Sequence, residues 1–253
     1  MPVFSKEQLE RYSRQILLKD IGVNGQERLR SARILLVGVG GLGSPVSLYL
    51  AAAGVGTLGL IDGDTVDLSN LQRQVVHYTK DIGKAKVDSA KEKLLALNPE
   101  VNLRIYYRRL QAGDIAEIIG AYDFIIDGTD DFPTKFLIND ACISAGIPFS
   151  HGGILQYDGQ TMTVLPGKST CYRCVFRHPP PYDIANTCSK AGILGAVAGM
   201  LGTIQAAEAL KFVTGVGTLL TDTLLTFNAL TMDFRKISLK RRPDCAACGL
   251  TNE

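Results

Sequence analysis

The stretch that most constrains the fold is a glycine-rich turn between two short apolar runs. Residues 34–37 are all apolar, residues 38–43 read Gly-Val-Gly-Gly-Leu-Gly, and residues 57–61 form a second, largely apolar run that ends at Asp62. Short apolar runs are typical of strands buried on both faces, and residues 47–53 have helical composition. The order strand, glycine turn, helix, strand, acid predicts a Rossmann-like unit that binds a nucleotide.

The glycines fit the pattern G-x-G-x-x-G, in which each has a physical role. Gly38, Gly40 and Gly43 keep the turn tight, let the backbone approach a phosphate, and let the helix begin close to the sheet. The positive end of that helix then faces an anion. Asp62 can accept hydrogen bonds from ribose hydroxyls. The pattern does not identify the nucleotide, and the same turn also suits a nicotinamide-dependent oxidoreductase.

Strands and helices alternate up to about residue 150 and then give way to strands separated by turns. Ser5 to Leu18 predicts a helix that continues loosely to Leu29. The later helices are predicted at 83–97, 115–119 and 135–145, and the strands at 101–107, 124–127, 148–150, 161–165, 223–228 and 234–239. This order predicts an α/β fold whose mostly parallel sheet is continued by antiparallel strands. We expect one domain over 1–253, with a helical arm at 1–30, a nucleotide-binding half at 31–150 and a second half at 151–253.

Composition excludes several classes of function. The net charge of +2 over 253 residues predicts no general attraction to nucleic acid or to an anionic membrane surface. Residues 191–207 are apolar but contain four glycines and are short for a bilayer span, so a buried helix is expected. The first twenty residues are rich in charge, which argues against a secretory signal and predicts a cytoplasmic location.

Four of the six cysteines form two C-x-x-C pairs, Cys171 with Cys174 and Cys245 with Cys248. Two such pairs supply the four thiolates that a structural Zn²⁺ takes, although two separate redox dithiols remain an alternative. Cys142 is expected in the core. Cys188 stands beside Lys190 before the apolar helix, where it is either a reactive thiol or an inert one.

Other candidate site residues are ambiguous from the residues alone. Asp130 follows an apolar run that ends in Asp127, and it can hold Mg²⁺ beside a polyphosphate. The Asp130-Asp131 pair can instead cap the helix that begins near Pro133. Arg14 is most simply a surface charge, and His77, His151 and His178 need no catalytic role.

Several motifs together resemble those of the ThiF/MoeB/HesA family, relatives of ubiquitin-activating enzymes that adenylylate sulfur carrier proteins. They are residues 11–17 (Arg-Tyr-Ser-Arg-Gln-Ile-Leu), the glycine turn with Asp62, residues 69–74 (Ser-Asn-Leu-Gln-Arg-Gln), residues 127–130 (Asp-Gly-Thr-Asp) and the paired C-x-x-C motifs. The resemblance covers essentially the whole chain. One departure is Gly-Thr-Asp-Asp at 128–131, where the family commonly has Cys-Thr-Asp-Asn.

The resemblance implies roles for individual residues. Arg73 and Lys86 would oppose the charge that develops on the phosphates, Asp130 would hold Mg²⁺, and Arg14 would reach the ATP of the partner subunit in a homodimer. Cys188 matches the family thiol that some members use to link to the carrier or to transfer sulfur. The residues implied to bind the nucleotide are Gly38, Gly40, Gly41, Gly43, Asp62, Asp64, Asn70, Arg73, Gln74, Lys86 and Asp130.

The function implied is ATP-dependent adenylylation of the carboxy-terminal glycine of a ubiquitin-like sulfur carrier, in thiamine or molybdopterin biosynthesis. The cofactors would be ATP, Mg²⁺ and Zn²⁺. Because no rhodanese-like extension follows Leu250, the sulfur donor is expected to be a separate protein. The alternatives are a tRNA-modifying dehydratase of the same superfamily, a nicotinamide-dependent oxidoreductase and a non-catalytic binding module stabilised by zinc.

Overall fold

A computed structural model describes residues 4–181 and 191–249 of the chain. Within them one sheet of eight strands runs through the molecule in the order β3-β2-β1-β4-β5-β6-β7-β8. The strands are β1 (Arg33–Val37), β2 (Thr57–Ile61), β3 (Asn102–Tyr106), β4 (Phe124–Asp127), β5 (Phe149–Leu155), β6 (Asp158–Val164), β7 (Thr223–Asn228) and β8 (Asp233–Ser238).

The helices of the described residues flank this sheet. They are α1 (Lys6–Arg11), α2 (Ser13–Ile16), α3 (Gly22–Ser31), α4 (Gly43–Ala52), α5 (Lys86–Leu97), α6 (Ile115–Ile119), α7 (Phe132–Ala145), α8 (Tyr172–Val175) and α9 (Gly195–Thr214), with 3₁₀ turns at Leu68–Asn70 and Thr79–Asp81.

The sheet changes from parallel to antiparallel at β5. Strands β3, β2, β1, β4 and β5 pair in parallel. From β5 to β8 every pairing is antiparallel. The order reverses at β1, because β2 lies on one side of it and β4 on the other. A crevice at such a reversal, beyond the carboxyl ends of the strands, is where open α/β sheets bind ligands.

Alternating residues of the central strands build a core on each face of the sheet. Leu35 and Val37 of β1 pack in the core on the face of α6 and α7. Ile34 and Leu36 pack in the core on the face of α4 and α5. Residues 34–37 are all nearly inaccessible to solvent. The apolar run therefore forms a strand covered on both faces, as its composition predicts.

Helix α9 is long and apolar enough to cross a bilayer by length and composition alone. It contacts α4, β5 and β6. Val197, Ala198 and Leu201 are completely buried in these contacts. Among the described residues it is a helix of the core, as expected for the apolar segment.

The predicted α/β class and mixed sheet are confirmed, and the main correction concerns the N-terminal arm. The arm is not one helix but three, and α3 extends to Ser31. Tyr12 separates α1 from α2 outside the helical dihedral region, and Gly22 begins α3 with a φ of 57°. The predicted helix start at Ser5 is confirmed, because its hydroxyl accepts a hydrogen bond from Gln8 N at 3.1 Å.

Candidate active site

A cavity of about 1510 Å³ lies beyond the carboxyl ends of β1, β2 and β4. Most of the predicted nucleotide-binding residues line it, although they come from distant parts of the chain. These residues are Gly38, Gly40, Gly41, Asp62, Asp64, Arg73, Gln74, Lys86 and Asp130. The cavity continues along β5, β6 and β7, so it is longer than a nucleotide site alone requires.

The glycine turn needs glycine at two positions for steric reasons. Gly38 has a φ of 89°, and a Cβ there would lie 2.8 Å from Gly128 O. Gly43 opens α4, and a Cβ there would lie 2.0 Å from Gly38 O. Any side chain at either position would move the backbone. Gly43 therefore shapes the site by packing α4 against the turn.

Asp62 holds the turn and its own loop in place. Its Oδ2 accepts a hydrogen bond from Val39 N at 2.8 Å, and its Oδ1 accepts one from Asp64 N at 2.8 Å. Each carboxylate oxygen has a second lone pair. Asp62 is thus fixed by the backbone and still able to accept hydrogen bonds from ribose hydroxyls.

Cations form one wall of the cavity. Lys86 Nζ lies 3.2 Å from Asp64 Oδ2, and Arg109 Nη2 lies 3.1 Å from Asp64 Oδ1. Burial favours protonated Asp64, but Lys86 and then Arg109 outweigh it, so the pKa of Asp64 lies below its ordinary value. Arg73 lies in the segment between β2 and α5, and its Nη1 donates a hydrogen bond to Ser69 O in the same segment at 3.1 Å. These guanidinium and ammonium groups offer a matching charge to a polyphosphate.

The loop that carries Asp130 is fixed from beneath by a buried ion pair. Asp127 Oδ1 accepts hydrogen bonds from Thr129 N at 3.1 Å and from Thr129 Oγ1 at 2.6 Å. Lys135 Nζ donates to Asp127 Oδ2 at 3.0 Å, to Thr129 O at 2.8 Å and to Gly152 O at 2.6 Å. Asp130 itself is exposed in the cavity wall.

Asp131 has a different role from Asp130. Its Oδ1 accepts a hydrogen bond from Thr134 N at 2.8 Å and so caps α7. Of the two roles that the sequence allows for this pair, Asp131 therefore has that of a helix cap. The Asp130 carboxylate has no partner among the described residues, so it is the one of the two that suits a Mg²⁺ ligand.

His151 joins the ion pair from the neighbouring strand. Its Nδ1 lies 3.0 Å from Asp127 Oδ2, and its ring packs against Tyr172 in a tilted arrangement with centroids 4.6 Å apart. Burial lowers the pKa of His151, so the ring is neutral. Burial alone would raise the pKa of Asp127, but Lys135 and then His151 reverse this and bring it to about 2.

Sequence reasoning missed the cluster of Asp127, Lys135 and His151 as part of the site. An acid at a strand end followed by a lysine in the next helix is a local signal for Asp127 and Lys135. The contact with His151 arises because it lies opposite Asp127 in the pairing of β4 with β5. No local pattern in the sequence carries that register.

Gly43, Asn70 and Arg14, although predicted as site residues, do not line the cavity. Asn70 lies in the 3₁₀ turn at Leu68–Asn70, and its Oδ1 accepts a hydrogen bond from Asp67 N at 3.2 Å. Arg14 is an exposed residue of α2. Cys188 lies outside the described residues.

The four cysteines of the C-x-x-C pairs converge away from the cavity. Their sulfur atoms all lie within 4.8 Å of one another and are buried. The distances are 3.9 Å from Cys171 to Cys174, 3.6 Å from Cys171 to Cys245 and 3.4 Å from Cys174 to Cys248. With Zn–S bonds of about 2.3 Å, a tetrahedral site has sulfur atoms about 3.8 Å apart. The arrangement fits a structural zinc ion.

The fold and the cavity define an α/β protein with a glycine turn and a group of cationic side chains around a cavity at the carboxyl ends of its parallel strands. Comparison with known proteins identifies it further. The chain belongs to the ThiF family, whose sequence profile matches residues 12–247.

Similar proteins carry names that agree with one another. The chain is 44% identical over 251 residues to a sulfur carrier protein adenylyltransferase of Thermus thermophilus, covering 97% of this chain and 93% of that one. It is 47% identical over 246 residues to adenylyltransferase and sulfurtransferase MOCS3 of Sus scrofa, covering 97% of this chain and 54% of that one. The chain thus spans nearly all of the first relative and about half of the second.

A crystal structure of E. coli MccB with ATP has the same fold. Its TM-score is 0.84 at 26% sequence identity, covering 94% of this chain and 74% of that chain. These findings confirm the predicted resemblance and the predicted class of activity. The chain is a nucleotidyltransferase of the adenylyltransferase type.

Proposed function

We propose that this enzyme uses ATP to adenylylate the carboxy-terminal glycine of a ubiquitin-like sulfur carrier protein. The observation that carries the proposal is the shape of the cavity. Its phosphate end brings together the glycine turn, Arg73, Lys86 and Asp130, and it continues past Gly153 and Phe227 along the antiparallel strands. One cavity therefore offers room for a nucleotide and for an extended peptide beside it.

The predicted residues that line the cavity have separate roles at its nucleotide end. Gly38, Gly40 and Gly41 flank the phosphates, and Asp62 binds the ribose. Gln74 is buried beside the glycine turn, and its Oε1 has no partner among the described residues. Such a buried acceptor suits a donor on a bound ligand. Asn70 and Asp64 support this wall by holding its loops.

The reaction needs positioning and positive charge more than a general base. The carrier carboxylate has a pKa near 3.5 and is ionised at pH 7. One of its oxygens bonds to the α-phosphorus of ATP as the bond to the bridging oxygen breaks, which yields an acyl-adenylate and pyrophosphate. Arg73 and Lys86 stabilise the charge on the phosphates. Mg²⁺ held by Asp130 would neutralise further phosphate charge.

The proposal extends to the assembly of the enzyme. Arg14 is exposed and outside the cavity, so its implied contact with ATP requires a homodimer in which it reaches the partner's site. Zn²⁺ on the four cysteines is structural, because four sulfur ligands leave no open position for chemistry. A separate protein supplies sulfur, and the enzyme acts in the cytoplasm.

The pathway depends on the carrier. Thiamine and molybdopterin biosynthesis use the same activation step on different carriers, and nothing in the nucleotide end of the cavity distinguishes them. The choice is expected to lie with residues at the far end, along β6 and β7. Cys188 stays a candidate thiol for linking to the carrier or for sulfur transfer.

The test is ATP–pyrophosphate exchange with purified enzyme and, in turn, each candidate carrier that ends in Gly-Gly. We expect exchange with one carrier and its loss in Arg73→Ala and in Arg14→Ala with unchanged folding. If Arg14 acts across a homodimer, equal amounts of the two inactive variants that exchange subunits should regain about a quarter of the active sites. Half of the dimers are then mixed, and each mixed dimer has one intact site of its two. Exchange with no carrier, or full exchange in Arg73→Ala, would contradict the proposal.

A further inference from the structure

Side chains hold both backbone polar groups of Val39, a residue of the glycine turn, and so hold the peptide units on either side of it. Its N–H donates to Asp62 Oδ2 at 2.8 Å. Its carbonyl oxygen lies 3.0 Å from His77 Nε2. Because a carbonyl only accepts hydrogen bonds, His77 Nε2 must carry the hydrogen. Asp62 therefore orients the Gly38–Val39 peptide as an acceptor, and His77 orients the Val39–Gly40 peptide as a donor.

The tautomer of His77 is set by a line of hydrogen bonds behind it. Ser89 Oγ lies 2.9 Å from His77 Nδ1, and Lys93 Nζ lies 3.2 Å from Ser89 Oγ. The ammonium group of Lys93 has donors only, so the Ser89 oxygen accepts from it. The Ser89 hydroxyl also interacts with the Asp81 carboxylate, but Nδ1 of a neutral ring whose Nε2 carries the hydrogen needs a donor, so the hydroxyl hydrogen points to His77. Lys93 is held in turn by the carboxylate of Asp81. Every bond in this line then points towards Val39.

The line is shielded from solvent over its whole length. Ser89 is completely buried, and Asp81, His77 and Lys93 are 2%, 3% and 8% exposed. Burial lowers the pKa of His77; the Val39 carbonyl and Asp62 oppose this, whereas Lys86 and Lys93 add to it. The ring is neutral, which is the state that leaves Nδ1 free to accept from Ser89.

A glycine turn needs such outside support. Fixing the backbone of a residue costs conformational entropy, and glycine has the most freedom to lose. A turn held in its binding conformation before the ligand arrives binds that ligand more tightly. His77 is not among the residues that line the cavity, so any effect on the ligand passes through the turn.

We propose that His77 is a positioning residue for the nucleotide, fixing the Val39–Gly40 peptide and so aligning the N–H groups of the glycine turn with the phosphates. The inference rests on the proposed ATP site. It gives a role to a histidine that the sequence left without one. It also explains why Ser89 and Lys93, both on α5, are buried and polar rather than apolar.

Two substitutions separate positioning from simple packing. His77→Phe keeps a ring and removes the donor, whereas His77→Gln keeps a side-chain N–H near the position of Nε2. We expect the KM for ATP in the exchange assay to rise about tenfold in His77→Phe, the effect of one lost hydrogen bond. The KM for the carrier should stay unchanged, and His77→Gln should recover most of the loss.

A spectroscopic measurement tests the line of bonds directly. The ¹⁵N chemical shifts of the His77 ring should show the Nε2–H tautomer in the wild-type enzyme. Ser89→Ala removes the hydroxyl that selects it, so we expect a mixture of tautomers and a KM for ATP between the wild-type and His77→Phe values. This variant keeps the ring and leaves the contact with Val39 possible.

The outcomes that would overturn the inference are distinct from failure of the proposed function. A folded His77→Phe variant with an unchanged KM for ATP overturns the inference, as do equal rises in both KM values or an Nδ1–H tautomer in the wild type. A wild-type enzyme that binds no ATP in calorimetry overturns the proposed function and the inference together.

Discussion

Among individual residues, Asp127 links the stability of the fold to the shape of the site. It is completely buried between Lys135 and His151, and it ends β4. Sequence reasoning recognised it as the acid at the end of a strand and as part of the motif at 127–130, but not its contacts, because its partners come from α7 and β5. The glycines and Asp62 were predictable, since they form one local motif. Residues that meet through strand register were not.

Asp127→Asn tests this link at the residue scale. The substitution leaves Lys135 buried without its counter-charge, so we expect the free energy of unfolding to fall by about 3 to 5 kcal/mol at pH 7. The folded pKa of Asp127, about 2, lies below the ordinary value. Its contribution to stability is thus present above pH about 4 and is lost as the pH falls towards 2. Urea denaturation at several pH values should show a weaker acid dependence in the variant.

The matched control is Asp123→Asn, at the residue directly before β4. Asp123 pairs with Arg33, and their side chains are 39% and 49% exposed. An exposed pair contributes less than about 1 kcal/mol, so this variant should stay close to the wild type at pH 7. Equal losses of stability in the two variants would contradict the larger contribution expected from the buried Asp127.

Whole elements were easier to predict than contacts. The helix at Ile115–Ile119 and the strand at Phe124–Asp127 begin and end as the sequence predicts. The antiparallel extension was also expected, because its turns carry their own signals. The single helix predicted for the N-terminal arm was wrong, because the helical composition of this segment continues across breaks in the backbone dihedral angles. Strand β5 proved longer than expected, because its second half is defined by pairing with β6.

Glycine substitutions test the junction of β1, the turn and α4 as an element. In Gly43→Ala the new Cβ would lie 2.0 Å from Gly38 O, so we expect α4 to shift and ATP binding to be lost together with several kcal/mol of stability. Gly199→Ala is the control, because a Cβ at this position of α9 meets nothing within 4 Å. It should stabilise the protein by about 0.5 to 1 kcal/mol. Thermal melting measures the stability of the two variants, and calorimetry measures their affinity for ATP. Equal behaviour of Gly43→Ala and Gly199→Ala would refute the steric requirement for glycine at position 43.

Across the whole molecule, the cysteine cluster joins parts of the chain that are far apart in sequence. Cys171 and Cys245 are 74 positions apart. The first pair lies at α8, where Arg173 Nε donates to Asp140 Oδ1 at 2.6 Å and so couples the cluster to α7. Tyr172, which follows Cys171 directly in the sequence, packs against the ring of His151. A metal in this cluster would therefore tie the segment after β8 to elements that border the cavity.

Removing zinc tests this connection. We expect one zinc per chain by elemental analysis, with an all-sulfur shell in X-ray absorption. Chelation or Cys248→Ser should lower the melting temperature, because the bound metal stabilises only the folded chain. The affinity for ATP should fall with it, since Tyr172 and Phe176 border the cavity.

Cys142 provides the control for the zinc experiment. It is completely buried in the core and lies outside the cluster. Cys142→Ala removes a thiol and leaves a small cavity, so some stability is lost, but the zinc content should not change. Full zinc content in Cys248→Ser, or a melting temperature unaffected by chelation, would rule out a metal as the link between the end of the sheet and the site. A drop in melting temperature with unchanged ATP affinity would confine the role of zinc to the fold.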